Sequence, residues 1–250
     1  MVYHSSTSNN KTCLFVLNPI SGNFDKEDLR KWLKDYATKN SLEFWFHETT
    51  GSGEEAALLT GSIEKYKPSC LVAVGGDGTV NLVAKVAKEV KIPIGIFPMG
   101  SANGLATELD IPFNREEALD VVLHGAIIRI DILNINKREI VLHLCDVGLN
   151  ARVIKRFEKA VIRGFIGYMG QYFKELFDVK TTRFMLIVNG QKFKTKAIMV
   201  VIANASKYGT GAIINPPGKI NDGSFEVIFI KPYPFWYIFK LIVVFFTGTL

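Results

Sequence analysis

The 250 residues are enough for one large domain or two modest ones, and a hydrophobic content of 48% with 22% charged residues excludes a wholly disordered chain. The net charge of +6 is unevenly divided: residues 1–125 carry 12 Lys/Arg against 16 Asp/Glu, and residues 126–250 carry 18 against 8. A basic second half favours an anionic partner such as lipid, phosphate or nucleic acid, although a merely well-solvated surface explains it equally well.

The first half alternates strand and helix patterns. Short apolar runs predict strands at residues 13–17, 43–47, 70–74 and 92–97, each followed by a helical pattern. Continuous runs of this kind are typical of parallel strands that are buried on both faces. In such sheets, ligands bind at the carboxyl ends of the strands.

The second half is rich in consecutive strands. We predict strands at residues 127–135, 140–147, 184–188, 193–203 and 224–230, with hairpin turns at 136–138 and at Asn189-Gly190. A helical insertion is predicted at residues 151–177. The sequence therefore predicts a parallel α/β domain over residues 1–125 and an antiparallel β-rich domain over residues 126–250.

The cysteines and the apolar segments indicate the cellular compartment. Cys13, Cys70 and Cys145 form no CxxC pair, which fits a reducing cytoplasm. The polar N-terminus lacks the apolar core of a signal peptide, and no run reaches the length needed to span a bilayer. The longest candidate, residues 235–246, is interrupted by Lys240 and predicts a core helix, an interfacial helix or the lining of a lipid groove.

A glycine-rich turn lies between the third strand and its helix. Glycines let backbone N–H groups approach an anion, and the N-terminus of the helix adds partial positive charge. Asp77 repels phosphate unless a cation bridges them, so Mg²⁺ is implied. The alternative is a tight turn in which Asp77 caps the helix. The turn is Gly75-Gly76-Asp77-Gly78-Thr79-Val80-Asn81.

Two further loops have similar chemistry. Residues 18–22 (NPISG) follow the first strand, and residues 98–104 (PMGSANG) follow the fourth. Each loop alone is an ordinary turn composition. At the carboxyl ends of one parallel sheet, however, the three loops would converge on a single phosphate-binding cleft.

These motifs resemble, in order and spacing, the catalytic domain shared by diacylglycerol kinases, sphingosine and ceramide kinases and bacterial lipid kinases. The resemblance covers about residues 12–246 and includes Ala203-Asn204-Ala205 and Asn221-Asp222-Gly223. It implies a Rossmann-like α/β domain followed by an antiparallel β-sandwich with a helical insertion, as in NAD kinases and diacylglycerol kinases. It also implies a lipid kinase that uses ATP and Mg²⁺.

The resemblance also implies site residues. The bacterial branch of the family holds a metal with one side chain and two carbonyls, which here would be Asp222 with the carbonyls of Lys219 and Ser224. The implied ATP-binding residues are Asn18, Ser21, Gly22, Thr50, Gly75, Gly76, Asp77, Gly78, Thr79, Val80, Asn81, Gly100, Ser101 and Asn103.

The sequence leaves the identity of the catalytic base open. Family members ordinarily continue to a late Asp-Gly-Glu whose acid resembles the general base, whereas the only Asp-Gly pairs here begin at Asp77 and Asp222. Three interpretations stay open: the sequence is a fragment, the enzyme lacks that acid, or Asp77 serves as the general base, as is proposed for the matching acid of sphingosine kinases.

The expected partners are a lipid substrate and an anionic membrane surface. Residues 152–163 combine five cations with apolar residues, a pattern typical of a membrane-binding amphipathic helix or of a solvated helix. Arg152 stands where sphingosine kinases have an acid, which favours a neutral lipid such as diacylglycerol. We expect peripheral membrane association in the cytoplasm and no nucleic-acid binding, and a homodimer stays open.

Two other functions stay open at this stage. An NAD kinase-like activity shares the GGDG turn, but residues 98–106 point away from it. A catalytically weak module that binds nucleotide and membrane is the alternative from a different class, as is a kinase for sphingoid bases within the same class.

Overall fold

The computed structural model describes residues 12–19, 25–148, 181–234, 236–237 and 240. The chain divides into two compact units, Met1–Arg129 and Ile130–Leu250. The predicted helical insertion at 151–177 and most of the apolar segment 235–246 lie outside the described residues. Among the residues that are described, none belongs to a helix long and apolar enough to cross a membrane.

The first unit is built on a parallel sheet with helices between its strands. The strand order is β2-β1-β3-β4, and every pairing is parallel. The strands are β1 (Thr12–Leu17), β2 (Glu43–Glu48), β3 (Cys70–Gly75) and β4 (Ile94–Pro98). The helices are α1 (Lys26–Lys39), α2 (Glu55–Tyr66), α3 (Asp77–Val90), α4 (Gly104–Glu108) and α5 (Arg115–His124).

The central strands supply the core of this unit. β1 and β3 are almost wholly buried, as their unbroken apolar runs predict, whereas the edge strand β2 alternates between exposed and partly buried residues. Phe15 lies in the middle of the core and stacks against Phe46 of β2 at a centroid distance of 5.8 Å. Asp25 and Asn114 cap α1 and α5 through their side chains, which fixes where these helices begin.

The second unit consists of antiparallel strands. β7, β10 and β11 form a sheet in the order β11-β10-β7, and β5–β6 and β8–β9 form separate two-stranded ladders. The strands are β5 (Leu133–Ile135), β6 (Glu139–Val141), β7 (Leu144–Gly148), β8 (Thr182–Val188), β9 (Gln191–Ala197), β10 (Met199–Ala203) and β11 (Glu226–Ile230). The prediction of an α/β domain followed by antiparallel β structure is confirmed.

Three predicted strands are wrong in their extent. The run 140–147 is broken between β6 and β7 because Asn204 donates hydrogen bonds to the carbonyls of Leu142 and His143, at 2.9 Å each. The run 193–203 changes ladders at Ile198, whose N–H donates to the carbonyl of Ile230 at 2.7 Å. The run 127–135 forms a strand only over Leu133–Ile135, and Ile127 is 79% exposed.

Candidate functional site

A cleft lies at the carboxyl ends of β1, β2 and β3. The chain leaves β1 toward β2 on one side and returns to β3 on the other, so the sheet changes direction beside β1, where α/β sheets bind ligands. The cleft has a volume of about 200 Å³. Its lining residues are Asn18, Pro19, Thr49, Thr50, Gly51, Glu55, Gly78, Thr79 and Leu82.

The cleft brings together four of the predicted nucleotide-binding residues, Asn18, Thr50, Gly78 and Thr79, which come from two loops and the first turn of α3. The backbone holds these loops in place: the Asn18 N–H donates to the Val74 carbonyl at 3.4 Å, and the Thr49 N–H donates to the Leu17 carbonyl at 2.9 Å. Ser21 and Gly22 of the first loop lie outside the described residues.

The glycine-rich turn starts helix α3 without a side-chain cap. Gly76 is the N-cap, and its carbonyl accepts the N–H groups of Thr79 and Val80 at 3.0 and 3.1 Å. Thr79 and Val80 are buried, and Gly78 is exposed in the cleft. Because no side chain of Gly76 caps the first turn, the N–H groups of Asp77 and Gly78, which precede these two bonded groups, and the positive end of the helix can face an anion.

Asp77 connects two of the predicted loops. One carboxylate oxygen accepts the Gly104 N–H at 2.8 Å, and the other accepts the Leu105 N–H at 3.1 Å. Asp77 therefore caps α4 and not its own helix, although the side chain is exposed. The acid that the sequence places among phosphate-binding amides is held by the loop that follows β4.

The loop after β4 packs directly on the glycine-rich turn. The Met99 N–H donates to the Gly75 carbonyl at 2.9 Å. Asn103 is buried, adopts a positive φ of 50° and closes the loop by accepting the Gly100 N–H at 2.7 Å and donating to its carbonyl at 2.8 Å. Ser101 is exposed at the tip of this loop. The side-chain amide of Asn103 thus shapes the loop.

Gly100→Ala should disrupt this packing. An added Cβ would lie 2.8 Å from Asn103 Oδ1 and 2.9 Å from the backbone nitrogen of Gly76, where neither neighbour can easily move. We expect the free energy of unfolding to fall by about 1–3 kcal/mol, measured by urea denaturation. Gly78→Ala is the matched control, because its added Cβ meets nothing within 4 Å. Equal stability of the two variants would contradict the close approach of the loops.

Glu55 is a cleft residue that the sequence reasoning missed. Its Oε1 accepts the N–H and the hydroxyl of Thr50, each at 2.8 Å, together with the N–H groups of Gly51 and Ser52. Burial acts to raise the pKa of this carboxyl, but the hydrogen bonds from Thr50, Gly51 and Ser52 outweigh it and lower the pKa. Its Oε2 is shielded from solvent and has no hydrogen-bond partner among the described residues.

Two signals in the sequence point to Glu55. It follows the turn-forming residues Gly51-Ser52-Gly53 and opens the helical pattern of α2, where an acid commonly bonds the N–H groups of the preceding loop.

Asn81 provides a second polar atom, its Oδ1, that is buried without a hydrogen-bond partner in the described part of the chain. Such atoms are commonly satisfied by a ligand or by water.

His47 of β2 makes the stability of the fold depend on pH. Its Nδ1 lies 2.9 Å from Ser62 Oγ, and burial lowers the pKa of the imidazole, with Glu55 and Glu48 partly opposing the effect. The unfolded chain therefore takes up this proton near pH 6.5, and the folded chain takes it up only at lower pH. The stability that neutral His47 contributes is fully present above about pH 6.5 and is lost as the pH falls below it.

The melting temperature should therefore fall more steeply between about pH 7.5 and pH 5.5 in the native protein than in His47→Gln. Glutamine does not titrate, so its curve retains only the contributions of the other groups. His124→Gln is the control, because His124 is exposed on α5. Parallel curves for the native protein and His47→Gln would contradict this assignment.

The predicted metal loop lies in the second unit. Asp222 accepts the N–H of Ser224 at 2.9 Å, and Asp131, which the sequence reasoning did not single out, accepts the N–H of Gly223 at 2.7 Å. Lys219, Asp222 and Ser224 are all exposed. The described residues contain no group of three or more His, Cys, Asp or Glu side chains that could hold a metal ion. One carboxylate with two carbonyls is an all-oxygen set, which suits Mg²⁺ or Ca²⁺.

The chain is similar to known proteins over most of its length. Residues 12–135 match the diacylglycerol kinase catalytic domain, and residues 144–250 match the YegS C-terminal NAD kinase beta sandwich-like domain. A protein of Escherichia fergusonii, "Probable lipid kinase YegS", is 27% identical over 224 residues, which are 86% of this chain and 72% of that protein. A Yersinia pestis protein, "Probable lipid kinase YegS-like", is 27% identical over 86% of this chain and 73% of its own.

The fold is also found among solved structures. The crystal structure of a diacylglycerol kinase from Bacillus anthracis superposes with a TM-score of 0.68 at 22% identity and covers 93% of this chain and 78% of that one. The similarity in fold therefore extends through both units.

Proposed function

The chain belongs to the lipid kinase family that carries the diacylglycerol kinase catalytic domain. We therefore propose that it transfers the γ-phosphate of ATP to the hydroxyl of a neutral lipid, with diacylglycerol as the first candidate. The observation that carries the proposal is the cleft, where Asn18 and Thr50 from two loops lie beside Gly78 in the uncapped first turn of α3. A site of this kind suits the phosphates of a nucleotide.

The reaction needs positioning and charge neutralisation more than covalent chemistry. The lipid oxygen forms a bond to the γ-phosphorus while the bond from that phosphorus to the β–γ bridging oxygen breaks, and ADP leaves. The N–H groups at the start of α3 hold the phosphates. Bound Mg²⁺ would neutralise phosphate charge. The hydroxyl proton passes to a carboxylate, for which Asp77 is our candidate.

The acceptor is the finer part of the proposal. Arg152, outside the described residues, replaces the acid that suits an amine headgroup in sphingosine kinases, so a lipid with an uncharged hydroxyl headgroup is the better fit. The assay that tests the function is transfer of labelled phosphate from ATP to a panel of diacylglycerol, ceramide, sphingosine and NAD⁺. We expect labelled phosphatidic acid. Labelled NADP⁺, or ATP binding without transfer to any lipid, would overturn the proposal.

Mg²⁺ is the proposed cofactor, with Asp222 and the carbonyls of Lys219 and Ser224 as its proposed ligands in the second unit. Asp222→Ala should raise the Mg²⁺ concentration needed for half-maximal activity by about tenfold, because a lost carboxylate ligand weakens a hard-cation site. Removing the carboxylate also frees the Ser224 N–H, so the melting curve is recorded in parallel. Glu139→Ala, which removes an exposed acid of β6, is the control. An unchanged Mg²⁺ titration would leave Asp222 a turn residue.

A kinase whose substrate resides in a bilayer must reach the membrane surface. We include in the proposal a peripheral association with anionic membranes, which the net basic charge of residues 126–250 supports. Residues 152–163 are one candidate for the contact and lie outside the described residues.

A further inference from the structure

The two faces of the β8–β9 ladder differ in chemistry. In an antiparallel ladder, directly paired residues point to the same side. The pairs Arg183–Lys196, Met185–Lys194 and Ile187–Lys192 therefore share one face. We call this set of six residues the basic hairpin face. The opposite face carries Phe184, Leu186, Val188 and Ala197, which are buried or half-buried, and Phe193, which is 43% exposed.

The basic hairpin face is exposed along its whole length. Met185 and Ile187 are 59% and 68% exposed, and all four cations are exposed as well. Residues 182–197 contain these four cations and no acid. The described residues provide no ion pair to any of the four. The face therefore presents uncompensated positive charge around two large aliphatic side chains.

The opposite face holds the half-buried apolar residues of the hairpin. A strand that packs on one side and meets water on the other normally alternates apolar and polar residues. β9 follows this rule with lysines on its exposed side, but β8 places Met185 and Ile187 there. Exposed aliphatic residues bordered by polar ones commonly mark an interaction surface.

The combination fits an anionic lipid surface. Lysine and arginine bind anionic headgroups, while neighbouring apolar side chains enter the boundary between headgroups and acyl chains. Nucleic acid would use the same cations, but proteins that bind it without sequence preference commonly add aromatic stacking side chains, and this face has none. The charge and the aliphatic residues together favour a membrane.

We propose that the basic hairpin face is a membrane-docking surface for anionic phospholipids. The cations contact the phosphates of the headgroups, and the side chains of Met185 and Ile187 insert between them. This surface would bring the proposed lipid kinase to its substrate, so its biological role rests on the proposed function. The binding itself requires neither ATP nor an acceptor lipid.

The test is sedimentation of the full chain with vesicles, with and without about one third phosphatidylglycerol in phosphatidylcholine. Lys192→Gln/Lys194→Gln should weaken binding to the anionic vesicles by about tenfold or more, because each basic residue near the surface contributes appreciably. Met185→Thr/Ile187→Thr should weaken binding that persists at high salt. The matched control is Lys31→Gln/Lys39→Gln, which removes two exposed lysines from α1.

Melting curves and far-UV circular dichroism confirm that each variant is folded. Native-like vesicle binding by both hairpin variants would overturn the proposal, as would equal losses in the hairpin and α1 variants. Two other results also overturn it: the hairpin variants lose retention on DNA and not on vesicles, or they change only the oligomeric state.

A separate measurement distinguishes this proposal from the proposed function. Phosphate transfer to diacylglycerol dispersed in neutral detergent micelles should be native-like in the lysine variant, because no anionic bilayer is involved. If no variant and not even the native protein transfers phosphate, while vesicle binding still depends on the hairpin, the docking surface stands and the kinase proposal fails. If the native protein transfers phosphate but its vesicle binding does not depend on the hairpin, the kinase proposal stands and the docking surface fails.

Discussion

Asp77→Ala is expected to reduce phosphate transfer to lipid by about 10³-fold, the range expected for a lost acid–base group. Two consequences of the change act together. The proposed proton acceptor disappears from the glycine-rich turn, and the N–H groups of Gly104 and Leu105 lose the carboxylate that caps α4. The loop after β4 would then no longer be fixed against the start of α3.

Asp77→Asn separates the two consequences. Asparagine keeps an oxygen that can accept one of the two N–H groups, but it carries no charge and cannot take up the proton. We expect transfer to stay as low as in Asp77→Ala, while the melting temperature recovers toward the native value. Asp35→Asn on the exposed side of α1 is the control for a lost carboxylate.

Two results would contradict this role. Near-native transfer in Asp77→Ala would remove the residue from the site. Full activity in Asp77→Asn with a loss only in Asp77→Ala would make Asp77 a positioning residue that acts through α4. Single-turnover measurements, which exclude product release, give the comparison its clearest form.

The first unit could be predicted from the sequence because its signals are local. The runs that form β1 and β3 are short, continuous and apolar, and a strand buried on both faces has this pattern. Glycine and asparagine at the strand ends then indicate the loops, and the carboxyl edge of the sheet brings Asn18, Thr50 and Gly78 together in one cleft.

The strand breaks of the second unit could not be predicted, because they depend on distant partners. The run 193–203 changes from alternating to continuously apolar residues at Ala197, but this local change does not show that the chain leaves one ladder there to pair with another strand. The break after β6 depends on Asn204, which lies 62 residues from Leu142 in the chain. Hydrophobic patterns show that a segment is buried, but they do not show which strand it pairs with.

The same limit applies to the site. The sequence places Asp77 in a phosphate-binding turn, yet its carboxylate bonds to N–H groups 27 and 28 residues further along. Glu55 is different, since all its partners lie within five residues. Its position after a glycine-rich turn could have been interpreted as a loop anchor before the structure was known.

Glu55→Ala has the second largest expected effect on phosphate transfer. Four donors converge on its Oε1 and hold the loop from Thr50 to Ser52, which forms one wall of the cleft. Glu55→Ala leaves these donors without their acceptor, so the wall is no longer preorganised for the nucleotide. We expect the KM for ATP to rise by about 30-fold with a smaller change in kcat, because the proposed role of the loop is to position ATP and not to contact the reacting atoms.

Glu54→Ala is the matched control, because it removes an equal charge one residue away and Glu54 makes no side-chain cap bond. Glu55→Gln tests the role of charge: glutamine can still accept at Oε1, but a neutral amide oxygen accepts hydrogen bonds more weakly than a carboxylate. We therefore expect a KM between those of the native protein and Glu55→Ala. If Glu55→Ala and Glu54→Ala raise the KM equally, charge alone is responsible and the loop needs no anchor. If only Glu55→Ala raises it, the hydrogen bonds to the Thr50–Ser52 backbone shape the nucleotide site.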